Sequence, residues 1–310
     1  MAEIDYKTIN EKASDPTLMI DRAEREYHAH IKELAARING NERIKIVLLA
    51  GPSGSGKTTS ANLLADALRE LGDEALVVSL DDFYKDASDP SYPRLDGGER
   101  DYECPEALHL DELTKTLERV AEGKSFEIPK YDFKCAARTD TKTHSPIGHG
   151  CVIIEGLHAL SPKISDSLPS ERLLKLFVSV STNINDGDDR ILSGRKLRFV
   201  RRMVRDSIYR AAGAERTLEM WQNVLHAEDI YLYPYKDTAD VAFDTFHVFE
   251  PCVMASFAKK LITEELAKKN EYAAVVLAAL SKIREIDAHL VPENSLIKEF
   301  IPGGKYENLY

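Results

Sequence analysis

The chain has 310 residues, 43% hydrophobic and 30% charged, enough for one large α/β domain with an appendage or for two small domains. A formal net charge of −11 argues against sequence-independent nucleic-acid binding, because phosphate backbones are held mainly by Lys and Arg. Cys104, Cys135, Cys151 and Cys252 form no C-x-x-C pair, which argues against a zinc or redox motif and fits free thiols.

The N-terminal MAEIDYKTIN lacks the basic start and apolar run of a secretory signal. No apolar stretch approaches the ~18 residues of a membrane span, so a cytoplasmic protein is expected. Ile20, Ala23, Tyr27, Ile31, Leu34 and Ile38 then recur at helical spacing, with Asp15-Pro16 as a start and Gly40 as a stop. Such a helix packs on a main domain or serves as a partner-binding arm. Residues 1–40 are therefore set apart from a main domain over 41–268 and a C-terminal helix and tail over 269–310.

From Ile44 to Ala50 the chain is apolar, as expected for a strand buried on both faces. Ser60 to Leu71 reads as a helix, Ala75 to Leu80 as a second strand, and Leu108 to Ala121 as a helix ending at Gly123. Phe126 to Gly150 lacks helical period and reads as an inserted hairpin. Cys151 to Ile154, Leu173 to Val180 and Val241 to Phe243 complete five strands. Strands alternating with helices predict an α/β fold, a mainly parallel sheet with helices on both faces. Asp188 to Arg210 reads as one arginine-rich helix with its start, in a segment bounded at about 186–216. Glu271 to His289 reads as another helix, and Val291 to Gly304 as an apolar tail folded back on the domain.

Directly after the first strand stands Gly51-Pro52-Ser53-Gly54-Ser55-Gly56-Lys57-Thr58, which fits G-x-x-x-x-G-K-[ST] at every fixed position. Glycines let backbone N–H groups converge on an anion, and the following helix adds its positive N-terminal dipole. Lys57 is expected on the β- and γ-phosphates of ATP (or GTP) and Thr58 on Mg²⁺. Gly51, Ser53, Gly54, Ser55, Gly56, Lys57, Thr58 and Thr59 form the expected nucleotide site. Glu155 ends the apolar strand CVIIE, where a carboxylate can hold the metal directly or through water. In Ser79-Leu80-Asp81-Asp82-Phe83-Tyr84, two acids end a buried strand, where open parallel sheets place ligands. Either acid can orient a hydroxyl and accept its proton. Arg198, Arg201, Arg202 and Arg205 share one helical face, expected to close as a lid over the transferred phosphoryl rather than stand as a solvated cationic face.

Together, GPSGSGKTT, SLDDFY, DYECPEALHLDEL, EIPKYDF, VIIEGLHAL and RFVRRMVRD resemble the uridine kinase and phosphoribulokinase-like group of P-loop kinases, from about Arg43 to Gly304. ERTLEMW, YLYPYKDTADVAFDT and NSLIKEFIPGG resemble a bacterial subgroup that often follows a TGS and threonyl-tRNA-synthetase-like segment. The resemblance implies a P-loop kinase fold with Asp81 as base, Glu155 beside the metal, Glu103 on the ribose, and Tyr131 packed near the nucleoside. Tyr84 joins this substrate side. Arg202, Arg205 and Arg210 match lid arginines that meet phosphates and substrate. Two positions depart from the pattern. Ala136 stands where uridine kinases carry a His that reads the pyrimidine edge, and Arg210-Ala211 replaces an Arg-Gly.

The expected activity is phosphotransfer from ATP to the 5′-hydroxyl of a nucleoside. A sugar phosphate or pantothenate-like acceptor, and a nucleotide-binding regulatory module without turnover, stay open beside it. Related kinases often form dimers or tetramers, so a homo-oligomer is compatible with the resemblance; no nucleic-acid or membrane partner is expected.

Overall fold

A computed structural model describes residues 2–95 and 97–309. The strands are β1 (Glu3–Asp5), β2 (Ile46–Ala50), β3 (Glu74–Ser79), β4 (Phe126–Asp132), β5 (Ala137–His144), β6 (Gly150–Glu155), β7 (Leu173–Ser179), β8 (Asn183–Asp186), β9 (Asp189–Leu192) and β10 (Val241–Asp244). The helices are α1 (Tyr6–Lys12), α2 (Pro16–Asn39), α3 (Lys57–Glu70), α4 (Leu110–Ala121), α5 (Pro162–Ser165), α6 (Gly194–Tyr209), α7 (Ala214–Tyr231), α8 (Glu250–Leu261), α9 (Glu264–Lys269) and α10 (Glu271–Ser281).

Five strands form one all-parallel sheet in the order β10-β7-β2-β6-β3. The α/β architecture expected from strand–helix alternation is therefore present. Side chains alternate across each strand, so β2 divides its apolar residues between two cores. Val47 and Leu49 face the core built with α2, α3, α6, α8 and α10. Ile46, Leu48 and Ala50 face the core built with α4 and α5. Each large side chain so buried contributes about 1.5–3 kcal/mol, which makes this central strand the least tolerant of polar substitution. Because all five strands run one way, their C-terminal ends share an edge. Ser79 of β3 is paired with Glu155 of β6, and Leu49 of β2 with the same Glu155.

Helix α2 starts and stops where its sequence indicates. Asp15 Oδ1 accepts the Leu18 N–H at 3.1 Å, Pro16 opens the helix, and Gly40 closes it. Its buried stripe packs on α3, and the Tyr27 and Ser60 hydroxyls hydrogen-bond at 2.7 Å. Strand β1 pairs in parallel with β8, tying residues 3–5 to residues 183–185.

Two segments differ from expectation, and a third is more deeply buried than its sequence indicates. Residues 188–210 are not one helix. Gly187, at φ 60°, turns an antiparallel hairpin from β8 into β9, and α6 begins only after Ser193 caps it through the Lys196 N–H at 3.3 Å. Residues 271–289 are not continuous either. Helix α10 ends at Ser281, and the Ile286 N–H then donates to the Cys252 carbonyl of α8 at 3.2 Å, a bond that an uninterrupted helix would forgo. The tail does fold back, but as core: Leu296, Ile297, Phe300 and Ile301 are fully buried, with a 3₁₀ turn over Leu296–Glu299.

Candidate active site

The loop after β2 is shaped by close approach. A Cβ on Gly51 would lie 2.3 Å from the Val178 carbonyl oxygen, and Gly56 caps α3 at φ 85°, a left-handed conformation that glycine adopts without strain. Lys57 begins α3, and its Nζ donates to the Pro52 carbonyl at 3.3 Å. Ser55 Oγ, in the middle of the loop, is buried without a protein partner, which fits a loop built to meet an anion.

Helix α6 holds this loop from outside. Arg198 Nη1 donates to the Ser53 carbonyl at 2.8 Å, Arg201 Nη1 to the Gly54 carbonyl at 3.2 Å, and Arg202 Nη1 to Ser53 Oγ at 2.9 Å. The four arginines expected on one face over the phosphates therefore divide. Arg198 and Arg201 are 0% exposed. Arg198 forks onto both carboxylate oxygens of Glu228 at 2.7 and 2.8 Å, and Arg201 onto those of Glu250 at 2.6 and 2.7 Å. Bidentate pairing satisfies a guanidinium so fully that it can be buried, which explains why these two belong to the core rather than to a lid. Glu228 also accepts the Ser53 N–H at 2.9 Å.

The other cations lie toward the cleft. Arg202 Nε and Arg210 Nη1 both reach Asp206, at 3.3 and 3.2 Å, while Arg205 Nη1 reaches Glu299 at 3.3 Å. Arg205 close by, and then burial, lower the pKa of Arg210. This crowding of positive charge marks where anions are wanted.

Glu155 lies buried between loop and cleft, and Thr58 Oγ1 donates to its Oε1 at 3.3 Å. Burial pushes the Glu155 carboxyl up to about 7; Lys57 pulls it down, and Asp81 and Glu299 push it further up. One buried carboxylate beside a P-loop hydroxyl fits a hard divalent cation, which takes few protein ligands and completes its shell with phosphates and water. Among the described residues, no cluster of three or more His, Cys, Asp or Glu offers a metal site elsewhere.

The two acids after β3 separate by their contacts. Asp82 Oδ1 accepts the Tyr131 N–H at 3.3 Å and pairs with Lys130 Nζ at 3.1 Å, anchoring β4. Asp81 has no such anchor. It reaches solvent at the cleft floor, yet desolvation by the surrounding protein raises its pKa, opposed by Lys57, Arg210 and Arg205. Glu103 is half-buried, and its carboxyl is likewise raised, by desolvation first, with Arg202 lowering it and Asp81 raising it. Asp81, Glu103, Lys57, Arg202, Arg205 and Arg210 thus act on one cleft.

Its apolar wall comes from the inserted hairpin. A register shift between Lys130 and Tyr131 turns Tyr131 inward, where its ring meets Tyr84 at 5.7 Å and Phe133 at 5.1 Å. Tyr84 donates its hydroxyl to the Tyr102 carbonyl at 2.8 Å, so it offers the cleft a ring rather than a hydrogen bond. Ala136 and Ala211, the two departures from the family pattern, both have φ 51°.

Sequence reasoning did not single out Glu228, Glu250 or Glu299. For the first two a signal existed: arginines at i and i+3 on a helix that also carries Leu197, Phe199, Val200, Met203 and Val204 must be partly buried, and buried guanidiniums need acids. Glu299 offered none, because the phrase NSLIKEFIPGG that contains it carried a resemblance but no role for its acid.

Residues 46–249 match the Phosphoribulokinase / Uridine kinase family. A uridine kinase of Lactobacillus johnsonii is 28% identical over 202 residues, which cover 65% of this chain and 86% of that protein. The inorganic pyrophosphatase TTM2 of Arabidopsis thaliana is 34% identical over 162 residues, covering 52% of this chain and 21% of that protein. Among solved structures, "a Possible Uridine Kinase" from Bacillus stearothermophilus is 18% identical with a TM-score of 0.46, covering 71% of this chain and 98% of its own. With its P-loop, its parallel sheet and a match over most of its length, the chain belongs to the phosphoribulokinase/uridine kinase family of P-loop kinases.

Proposed function

We propose that this protein transfers the γ-phosphoryl group of a nucleoside triphosphate to a hydroxyl of a small molecule, and that the acceptor is the 5′-hydroxyl of a nucleoside. The observation that carries this reading is the position of Asp81. It stands unanchored between Lys57 and the arginines on one side and Glu103 with the Tyr84, Tyr131 and Phe133 rings on the other.

Asp81 accepts the acceptor's hydroxyl proton as that oxygen bonds to the γ-phosphorus and the β–γ bridging oxygen departs with the diphosphate. Its raised pKa makes it a stronger base than an ordinary carboxylate. Lys57, Arg202 and Arg205 balance charge on the transferred group, the usual division of labour in phosphoryl transfer. Mg²⁺, when bound, supplies Lewis-acid neutralisation of the phosphates, and Thr58 and Glu155 are the residues that would hold it. Glu103 is assigned to the ribose hydroxyls, and Tyr131 to the face of the base.

A second reading, a sugar-phosphate acceptor, is favoured by one feature. Arg202 and Arg210 converge on a single acid, Asp206, leaving positive charge over at the cleft. A coupled assay of nucleoside diphosphate release over ribonucleosides and sugar phosphates, with ATP and GTP as donors, decides between them. Nucleoside-dependent release that Lys57→Ala abolishes is expected. Release driven only by a sugar phosphate would replace the acceptor, and equal turnover by Lys57→Ala would remove the P-loop assignment.

A further inference from the structure

The tail beyond the family match reaches into the nucleotide site. Leu296 lies against the P-loop turn so closely that a Cβ on Gly56 would meet its Cδ1 at 2.7 Å. Phe300, four residues on, lies beneath two arginines of α6, with Arg201 5.1 Å and Arg205 6.0 Å from its ring centroid. Between them, Glu299 turns its carboxylate onto the first turn of α3. Its Oε2 accepts the Thr59 N–H at 3.2 Å and the Thr59 hydroxyl at 3.0 Å, and its Oε1 meets Arg205 Nη1 at 3.3 Å. Glu299 is 3% exposed.

These are the groups a bound triphosphate calls on. Backbone N–H groups at the start of the P-loop helix cradle the α- and β-phosphates, and Arg205 of α6 is placed to balance their charge. A carboxylate carries the same sign as a phosphate, so it satisfies the same donors and repels the same ligand. Lys57, hydrogen-bonded to the loop's own Pro52 carbonyl, belongs to the same self-satisfied arrangement.

We propose that Glu299 is a built-in anionic competitor for the triphosphate, and that the 296–301 strap must release it before the nucleotide seats fully on α3. The inference rests on the P-loop binding a triphosphate. Affinity is then reduced by the fraction of molecules in which Glu299 holds Thr59, and removing its charge removes that reduction.

The test is ATP binding by calorimetry, with and without Mg²⁺, to the wild-type chain and to Glu299→Gln, which keeps the shape and deletes the charge. The expected result is ATP bound ~10-fold more tightly by Glu299→Gln, the gain predicted if the closed strap holds about nine molecules in ten. Hydrogen exchange of residues 296–301 in the wild-type chain supplies a readout independent of the variant's folding, and ATP should speed it. A purely structural contact predicts the reverse: Glu299→Gln melts lower, binds ATP no better, and the strap stays as protected with ATP as without. That outcome overturns the inference and leaves the kinase reading intact. No ATP binding by either protein would overturn both.

Discussion

On the phosphate side of the cleft, Arg198, Arg201 and Arg202 grip residues 53 and 54, and the two fully buried guanidiniums each meet a carboxylate with both forks. On the acceptor side, the carboxyl oxygens of Asp81 and Glu103 meet no hydrogen-bond donor among the described residues, and Phe133 stands 62% exposed. The first region pairs its buried arginines with acids and loop carbonyls and so props the loop from within, leaving Ser55 Oγ over. The second leaves its acids raised in pKa and unpartnered, which is the state of a surface completed by its ligand. In the proposed reaction the two sides meet at Asp81, whose carboxyl Lys57, Arg210 and Arg205 pull down against desolvation.

The largest expected effect separates the two regions by stability. Arg201→Met leaves Glu250 buried with its main partner gone and the Gly54 carbonyl without its guanidinium donor, and breaking a buried pair in this way costs about 3–5 kcal/mol. Lys130→Ala removes an exposed partner of Asp82 and should cost no more than about 1 kcal/mol. Urea unfolding of both variants measures the contrast. Equal and small losses would mean that the arginine scaffold is not what holds the P-loop in shape.

A catalytic effect of intermediate size tests the boundary itself. Asp81→Asn should lower kcat by ~10²-fold or more with unchanged thermal stability, the usual scale for losing a positioned base. Asp82→Asn should lower kcat less and the melting temperature more, because Asp82 holds the Tyr131 N–H and Lys130. Were Asp82→Asn the slow variant and Asp81→Asn the unstable one, the base would have been assigned to the wrong neighbour.

The regions also differ in how much of them could be read from the chain. The P-loop, the five parallel strands and the ends of α2 follow from local patterns: an apolar run before G-x-x-x-x-G-K-T, and Asp-Pro before a helical stripe. Those patterns encode short-range physics, so they survive in the fold. The failures have one cause, long-range partners. Arg198 and Arg201 share a face with Arg202 and Arg205 on a helical wheel, but which arginines are buried depends on Glu228 and Glu250, 30 and 49 residues away. Residues 188–193 leave the helix because β8 and β1 supply a sheet for them to join. Glu299 lies 240 residues from Thr59, and nothing near it in sequence announces the contact. On the acceptor side, residue chemistry alone left Asp81 and Asp82 open and the family resemblance chose Asp81; the structure adds that Asp82 is tied to Tyr131 and Lys130 while Asp81 is not.

The smallest expected effect concerns the acceptor's identity and rests on the proposed nucleoside activity. Ala136 stands in the hairpin turn after Tyr131, where the resemblance to uridine kinases implies a base-reading His. A buried donor aimed at a base rejects analogues that leave it unpaired, whereas a methyl group imposes no such penalty. Glu103 and the Tyr131 ring remain, and neither depends on which base is bound. A ribose hydroxyl bonded to a carboxylate is worth ~10-fold or more on losing it, the scale of hydrogen bonds to charged groups, while bases without a dedicated reader should differ by less than ~10-fold. Steady-state kcat/KM for uridine, cytidine, adenosine, guanosine and their 2′-deoxy forms measures both ratios in one experiment. The expected outcome is a clearer preference for ribose over deoxyribose than for any base. A sharp preference for one base, with ribose and deoxyribose treated alike, would move recognition from Glu103 to the hairpin and erase the difference drawn between a fixed phosphate side and a permissive acceptor side.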